Sequence, residues 1–408
     1  MILDEAACHA AIEAKDRRFD GHFFTGVTST GIYCRCVCPA RTPKRENRRF
    51  FSSAAAAEKA GFRPCLICRP ELAPGAAPID AAARLAHDAV RRIEAGALEE
   101  QGLEELAADL GVTGRHLRRV MLRTFGAAPV EIAQTHRLLT AKRLLKETNL
   151  GMTEIAFASG FQSVRRFNAL FVERYGMAPS RVRGRGRAHE SDGAGLTFTL
   201  APRGMFAGEA PFAHMTARAV ARVEAPTAKT TWTRTFAIGA HAGWLSLDLS
   251  GAAPKLTLSD GLMPAFRQVI SAVRGALDLD ADLDAINARL AEVGFAEDVQ
   301  AEPNVRMPGG LDPFELAVRA IIGQQVTVKA ATTICTRLTE KFGAPVESSI
   351  PGLDRLFPSA ARLANAEIGQ IASLGMPGAR AETVLRVARA HAGGSLKLAR
   401  GAVAAGRE

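Results

Sequence analysis

Five of the chain's seven cysteines lie in one short segment, between Cys34 and Cys68. Three of them alternate with other residues in Y-C-R-C-V-C-P, from Tyr33 to Pro39, and two more follow in R-P-C-L-I-C-R-P. In a disulfide scaffold the cysteines are spread through a short secreted chain, whereas here they are concentrated in one part of a 408-residue chain. The clustering therefore predicts a metal site around which this part of the chain folds.

A tetrahedral zinc site needs two short-spaced pairs of ligands that a loop brings together. Cys65 and Cys68 form one such pair, with the spacing C-x-x-C. Cys36 would give the tighter spacing C-x-C with either neighbour, which is less common for one metal, so we interpret it as a spectator. The predicted ligands of one Zn²⁺ per chain are Cys34, Cys38, Cys65 and Cys68. The alternative is a set of buried thiols without metal.

The charge of the chain indicates a polyanionic partner. Its formal net charge is +10 and its pI is about 9.6, as expected of a nucleic-acid-binding protein. Six basic residues follow the first cysteines with a single acid, Glu46, among them, and we expect them to hold phosphates; they are Arg35, Arg41, Lys44, Arg45, Arg48 and Arg49. The sequence has neither an apolar run of roughly eighteen residues nor a signal peptide, so we expect a soluble, cytoplasmic protein without membrane contact.

Two changes of composition divide the chain. Proline and alanine are frequent from Glu71 to Pro78, and a Gly/Arg/Ser stretch runs from Arg183 to Gly195. Helical periodicity lies between them, while alternating strands follow Gly195 and helices resume from Leu262. The predicted fold class is multidomain α+β. The predicted segments are a zinc domain at 1–75, an all-α domain at 80–183, a linker at 184–195, an α+β domain at 196–300 and a partial all-α domain at 301–408.

The helical segment contains an internal repeat. E-L-A-A-D-L-G-V-T at Glu105 returns as E-I-A-F-A-S-G-F-Q at Glu154, and each copy has a glycine turn between two helices, which predicts a double helix-turn-helix. The second helix of each copy can lie in the major groove of DNA. The side chains predicted to bind DNA there are Arg115, His116, Arg119, Ser163, Arg165 and Arg166. The side chains assigned to its core are Leu106, Leu110, Leu117 and Phe167.

The segments D-G-H-F-F-T-G-V-T-S-T-G-I-Y-C-R-C-V-C-P-A-R and A-G-F-R-P-C-L-I-C-R-P closely resemble the zinc domain of Ada-type DNA repair proteins, over about residues 1–72. The resemblance implies that Cys34 accepts a methyl group from an alkylated DNA phosphate. Zinc keeps such a cysteine deprotonated, as this weak electrophile requires. Family chains usually lack a cysteine at position 36, which leaves Cys36 as a competing acceptor. The zinc-domain residues expected to contact DNA are Thr30, Arg41, Arg45 and Arg63.

The duplicated unit, with G-F-x-S-x-x-x-F and Y-G-x-x-P, resembles the AraC-type DNA-binding domain over about residues 85–183. A zinc sensor followed by this reader is the regulatory half of an Ada-type protein. The second acceptor motif of that family, P-C-H-R, does not occur, so we expect no direct reversal of O6-alkylguanine.

The remainder resembles the AlkA-type 3-methyladenine DNA glycosylases, with a strand–helix–strand–strand–strand–helix order and the segment I-I-G-Q-Q-V-T-V. The resemblance places Gln325 where the family has its wedge and Gln324 beside the base pocket. The family's hairpin L-P-G-[IV]-G and its later aspartate do not follow A-H-A-G-G-S-L, so we expect a C-terminally incomplete glycosylase, from a truncated gene model or a longer fusion, that releases no base. We also expect Ile321, Ile322 and Leu374 to lack cover.

The leading hypothesis is therefore an alkylation-response protein. Its zinc-bound cysteine accepts methyl groups from DNA phosphotriesters, the methylated chain activates transcription, and a glycosylase module is fused behind it. The expected partners are double-stranded DNA and RNA polymerase, and the expected state is a monomer. The alternative is a non-enzymatic zinc-containing AraC-type regulator with a degenerate glycosylase remnant.

Overall fold

The computed structural model describes residues 4–71, 80–183 and 195–398. The chain forms two compact units, one comprising residues up to 93 with 100–132, and the other comprising 94–99 with 133 onward. The predicted linker at 184–195 and the stretch from Glu71 to Pro78 lie almost entirely outside the described residues. No helix in the described ranges is both long and apolar enough to cross a membrane.

The cysteine-rich region is built on a small sheet with the strand order β3-β1-β2-β4. Its elements are α1 (Glu5–Ala14), β1 (Phe24–Val27), β2 (Ile32–Arg35), β3 (Arg48–Phe51), α2 (Ala54–Lys59) and β4 (Arg63–Pro64). The strand β2 pairs antiparallel with β1 and parallel with β4, the register joining Tyr33 to Pro64. The two cysteine pairs therefore lie at the ends of neighbouring strands, since Cys34 is the penultimate residue of β2 and Cys65 directly follows β4.

Helices fill the middle of the chain. They are α3 (Ala81–Glu94), α4 (Ala97–Glu100), α5 (Leu103–Asp109), α6 (Gly114–Phe125), α7 (Pro129–Glu147), α8 (Met152–Ala158), α9 (Val164–Tyr175) and α10 (Pro179–Val182). The second helix of each repeat begins at a hydroxyl cap, since Thr113 and Ser163 each accept a bond from a backbone N–H three residues ahead. Each ends at a left-handed glycine, Gly126 or Gly176.

The C-terminal region begins with a five-stranded sheet of order β5-β9-β8-β7-β6. Its strands are β5 (Leu196–Thr199), β6 (Glu224–Pro226), β7 (Thr231–Ile238), β8 (His241–Asp248) and β9 (Lys255–Leu258), with α11 (Glu209–Ala217) after β5. The helices that follow are α12 (Phe266–Ala276), α13 (Leu283–Leu290), α14 (Ala296–Ala301), α15 (Pro313–Ile322), α16 (Val328–Phe342), α17 (Ala360–Ala364), α18 (Ile368–Ala372) and α19 (Gly378–Ala392).

Two apolar clusters organise the second unit. One runs from Leu144 and Phe171 of the repeat region to Phe198 and Phe266 beside the sheet. The other packs α15 and α16 against α19. The prediction that Ile322 and Leu374 lack cover is wrong: both are buried in this second cluster with Val384 of α19, because α19 folds back over α15.

The predicted fold class, multidomain α+β, is confirmed. Leu106, Leu117 and Phe167 are fully buried as predicted, while Leu110 is half-buried at the end of α5. The sequence interpretation missed the short strand β6, which carries the buried Glu224 and ends at Pro226. The C-terminal sheet therefore has five described strands rather than the four in the predicted order.

Candidate metal centre and nucleic-acid interfaces

The four cysteines of the two predicted pairs meet in one cluster. Their Sγ atoms all lie within 4.8 Å of one another. The parallel pairing of β2 with β4 causes this, because it continues into a bond from the Cys65 N–H to the Tyr33 carbonyl (3.0 Å). The Cys38 N–H in turn donates to the Arg35 carbonyl (3.2 Å), which folds the second cysteine of its pair back.

The donor set fits one Zn²⁺. Four sulfurs at a zinc–sulfur distance of about 2.3 Å stand about 3.8 Å apart in a tetrahedron, which the cluster approaches. Without a cation the sulfurs compete for protons: the hydrogen bonds that the Cys34 thiol donates to Cys38 and Cys68, followed by burial, raise the pKa of Cys34. A divalent cation removes this competition and allows all four to be thiolates.

Cys34 differs from its three partners in exposure. Cys38, Cys65 and Cys68 are buried, whereas Cys34 is half-buried and lines a cavity of about 210 Å³. Thr30 and Arg41, both exposed, line the same cavity. Cys38 and Cys65 also border this cavity but are buried, so Cys34 is the most accessible of the four cysteines to a reactant in it.

Cys36 belongs to a different environment. Its side chain is 2% exposed and packs with Cys8, Ile12 and Phe23 rather than with the four-cysteine cluster. Its Sγ donates to the Asp16 carbonyl (3.4 Å), and burial raises its pKa to about 12. The end of the strand accounts for the separation: β2 ends at Arg35, so Cys36 lies in the following turn, where the alternation that would place it on the face of Cys34 no longer applies.

The predicted basic surface of the zinc domain is smaller than the sequence suggests. Arg41, Lys44, Arg49 and Arg63 are exposed, and Arg45 is exposed but paired with Glu13 (2.9 Å). The prediction that Arg35 and Arg48 hold phosphates is wrong. Arg35 is 3% exposed and pairs with Asp20 and Asp80. Arg48 is 8% exposed and its Nε donates to the Pro43 carbonyl (2.9 Å).

The recognition helices carry their predicted side chains as follows. On α6, Arg115 and Arg119 are exposed, while His116 is half-buried. The Nδ1 atom of His116 accepts a hydrogen bond from Arg119 Nη2 (2.9 Å). On α9, Arg165 and Arg166 are exposed. The Ser163 hydroxyl accepts from the Arg166 N–H (3.2 Å), so it caps the helix.

Gln324 and Gln325 occupy an exposed turn between α15 and α16. Gln325 has a φ of 56°, a left-handed conformation that is rare outside glycine and is concentrated at functional positions. The Gln324 carbonyl accepts from Arg380 Nη2 (2.7 Å), which ties the turn to α19. The backbone thus presents both glutamine side chains outward.

A cavity of about 370 Å³ lies beside this turn, in the second unit. Gly323 and Val326, which flank the two glutamines, are part of its wall. Buried ion pairs form another part. Arg234 donates to Glu315 (2.7 Å) and to Glu224 (2.9 Å), and Arg319 donates to Glu224 (2.7 Å). Sequence reasoning missed this network, whose members come from β6, β7 and α15.

The cavity also holds unpaired donors. Trp232 Nε1 and Arg319 Nε are buried and have no hydrogen-bond partner among the described residues. A buried donor without a partner costs free energy, so each marks a position where a ligand or water can accept a bond.

A cysteine-ligated metal domain, a duplicated helix-turn-helix and a glycosylase-type pair of domains define a DNA repair protein that is also a transcriptional regulator. Four family models match the chain in this order: the metal binding domain of Ada at residues 7–71, a helix-turn-helix domain at 106–185, the AlkA N-terminal domain at 197–312, and the HhH-GPD superfamily of base excision DNA repair proteins at 318–406.

Whole-length similarity agrees with the family models. The chain is 37% identical over 406 residues to a probable bifunctional transcriptional activator/DNA repair enzyme AlkA of Mycobacterium tuberculosis, covering 98% of this chain and 80% of that protein. The chain belongs to this family of bifunctional transcriptional activator/DNA repair proteins. It is also 32% identical to the Bacillus subtilis activator/repair enzyme AdaA over 47% of this chain and 87% of that protein. It is 31% identical to Escherichia coli DNA-3-methyladenine glycosylase 2 over 45% of this chain and 63% of that protein.

Proposed function

We propose that Cys34 accepts the methyl group of a methyl phosphotriester in DNA and that this irreversible methylation activates the protein as a transcriptional regulator. The observation that carries the proposal is the lower burial of one cluster cysteine: among the cysteines that border the cavity, Cys34 is half-buried, whereas Cys38 and Cys65 are buried, as is Cys68. A triester is neutral at the modified phosphate, whereas the flanking phosphates are anionic. Arg41 at the cavity and the exposed Arg63 supply cations for those flanking groups.

The proposed transfer is a single displacement. The Cys34 thiolate attacks the methyl carbon, a sulfur–carbon bond forms, and the carbon–oxygen bond breaks with its electron pair on the phosphate oxygen. The products are a thioether at Cys34 and an ordinary phosphodiester, with no proton gained or lost. Bound zinc supplies a thiolate at neutral pH, because coordination lowers the pKa of cysteine.

The charge of the cluster links this repair step to DNA binding. Four thiolates around Zn²⁺ carry a formal charge of about −2, and one thioether changes it to about −1. The change reduces repulsion of the phosphate backbone, so methylation strengthens DNA binding. Arg115, Arg119 and Arg165 of the recognition helices then contact promoter DNA, where the protein, as a monomer in the cytoplasm, recruits RNA polymerase.

A second role belongs to the cavity beside Gln324, which we propose holds an alkylated base flipped out of the duplex. Its volume of about 370 Å³ suits a purine, and the unpaired Trp232 Nε1 offers the base a hydrogen bond. Gln325 at the strained turn is the candidate to fill the vacated stack. The carboxylates of Glu224 and Glu315 are paired with arginines, and that of Asp312 caps α15. We therefore expect the cavity to bind a base without cleavage of its glycosidic bond.

The methyl-transfer proposal is tested with zinc-loaded protein and a duplex that carries one methyl phosphotriester. We expect stoichiometric loss of the triester and tighter binding of the treated protein to unmodified duplex. Cys34→Ser should leave the triester intact, whereas the Cys36→Ser protein should demethylate the triester at the wild-type rate. An intact triester with the wild-type protein would favour the alternative, a regulator that responds to another signal.

The base-pocket proposal has its own assay. Duplexes containing one 3-methyladenine analogue should bind more tightly than matched unmodified duplexes, and Gln324→Ala should remove the difference. We expect no methylated base to be released above the uncatalysed rate by the 408-residue chain. Robust release that Gln324→Ala abolishes would contradict the assignment of a binding role.

A further inference from the structure

Arg35, the residue directly after the proposed acceptor, is buried between two groups of negative charge. On one side its backbone N–H donates to Cys68 Sγ (3.4 Å) and its Nη1 to the Cys68 carbonyl (3.3 Å). On the other side its Nε donates to Asp20 Oδ1 (2.9 Å) and its Nη2 to Asp80 Oδ2 (3.0 Å). The Arg35 side chain is 2% exposed, so solvent screens none of these interactions effectively.

Asp80 connects this charge to the helical part of the same compact unit. It directly precedes α3, where its side chain is 2% exposed. His87 lies about two turns further along α3. Its ring contacts the ring of Phe125 edge-on, with 5.2 Å between the centroids. Phe125 is the last residue of α6, the recognition helix of the first repeat. Described contacts therefore lead from the cysteine cluster through Arg35, Asp80 and α3 to α6.

We propose that Arg35 is a positioning residue that transmits the methylation state of Cys34 to α3 and α6 through Asp80. The inference rests on the proposed function, because methylation at Cys34 is its input. Before methylation, the cluster and the two aspartates compete for the charge of Arg35, the buried cation between them; Asp80 also pairs with Arg17 (3.4 Å), whose side chain is largely exposed to solvent. Conversion of Cys34 to a thioether lowers the negative charge of the cluster, which weakens its hold on Arg35 and its repulsion of Asp20 and Asp80.

Both changes act in the same direction. The Arg35–Asp80 pair strengthens, and the N-terminus of α3 is held more firmly against the zinc domain. A recognition helix already held in position loses less conformational freedom on binding, so its affinity for DNA rises beyond the direct electrostatic gain of the zinc domain. The sequence predicts that Arg35 contacts phosphate; the proposed role instead lies inside the protein.

Asp80→Asn tests the link with little disturbance of the helix. Asparagine begins helices as well as aspartate does, so the substitution removes the charge and keeps the capability to cap α3. The matched control is Asp88→Asn, on the same helix, where the aspartate pairs with Arg91 at a more exposed position. His87→Ala is a second variant that breaks the path at an exposed site far from the cysteines.

Each protein is methylated at Cys34 with methyl iodide, purified as the singly methylated form, and checked for one zinc per chain. The dissociation constant for a mixed-sequence 30-base-pair duplex is then measured before and after methylation. Asp88→Asn should show the wild-type gain in affinity, whereas Asp80→Asn and His87→Ala should show a gain reduced about fivefold or more. Hydrogen exchange in the first turn of α3 should slow on methylation in the wild type and not in Asp80→Asn.

A methylation gain in Asp80→Asn within twofold of the wild type would overturn the proposal. If Asp80→Asn does not bind zinc, His87→Ala decides, and an unchanged gain in that variant would overturn it equally. Because methyl iodide supplies the methyl group, this experiment does not depend on transfer from DNA. Failure of the wild-type protein to demethylate a phosphotriester would instead contradict the proposed function.

Discussion

The zinc domain and the C-terminal half bury charged residues in the same way but have very different apolar cores. In the zinc domain Arg35 is held by Asp20 and Asp80, among three small apolar clusters. In the C-terminal half Arg234 is held by Glu224 and Glu315, beside two extensive clusters. Small domains bury too little apolar surface to be stable alone, so the comparison teaches that the metal must stabilise the first region and apolar packing the second.

Removal of a buried ligand should have the largest effect, and only in the zinc domain. Cys68 is fully buried, and Cys68→Ala should abolish zinc binding and unfold this domain, since structural zinc contributes on the order of 10 kcal/mol to such folds. Zinc content and amide protection of residues in β1 and β2 measure the result. Cys335→Ala, at a buried cysteine of α16, is the control and should keep one zinc per chain. A folded zinc domain without metal would contradict the comparison.

The buried ion network should be the next largest contributor, and only in the C-terminal half. Glu315→Ala leaves Arg234 buried without one of its partners, which should lower the free energy of unfolding by about 3–5 kcal/mol. Urea unfolding followed by tryptophan fluorescence measures it, because Trp232 and Trp244 both lie in the sheet. Glu340→Ala, at an exposed glutamate of α16, should change stability by about 0.5 kcal/mol or less. Equal effects of the two substitutions would contradict the role of the network.

The same network should make the C-terminal half sensitive to acid. Burial alone would raise the pKa of Glu315, but the charges of Arg234 and Arg319 outweigh it and hold the pKa below its ordinary value. Its stabilisation is therefore fully present above the unfolded pKa of about 4.3 and is lost as pH falls through the lower folded value. Unfolding of the wild type should lose stability over that window, and Glu315→Gln should show a shallower loss. Parallel pH profiles would contradict this assignment.

The two repeats allow a smaller and more symmetrical test. Thr113 in the first unit and Ser163 in the second cap equivalent helices with bonds of 3.3 and 3.2 Å. Each substitution to Ala should cost about 1 kcal/mol, and each should lower the stability of its own unit alone. Hydrogen exchange of α6 and α9 resolves the two effects. Loss of protection in both helices from one substitution would show that the repeats unfold together.

Cys36→Ala should have the smallest effect on the metal. Its sulfur packs in a separate cluster, so one zinc per chain should remain and the cost in stability should be about 1 kcal/mol. Zinc content after dialysis measures the result. Loss of the metal in this variant would show that Cys36 is a ligand in place of one of the four clustered cysteines.

Local patterns in the sequence were sufficient to predict much of this molecule. Cysteine spacing identified the cluster, the repeat identified both helix-turn-helix copies, and alternation identified β5 and β7 to β9. The burial of Arg35 was not predictable, because its partners Asp20 and Asp80 are 15 and 45 residues away in the sequence. Arg234 and Glu315 are 81 residues apart for the same reason. Short strands such as β6 and β4 are too brief to show alternation.

The proposed methyl transfer to Cys34 is tested most directly by mapping the added mass. Zinc-loaded protein is incubated with methyl-phosphotriester DNA, digested, and analysed by peptide mass spectrometry with fragmentation across Tyr33 to Pro39. The account predicts one added methyl group per chain, located on Cys34, with Cys36 and Cys38 unmodified. A methyl group on Cys36, or no methyl group on any cysteine, would contradict it.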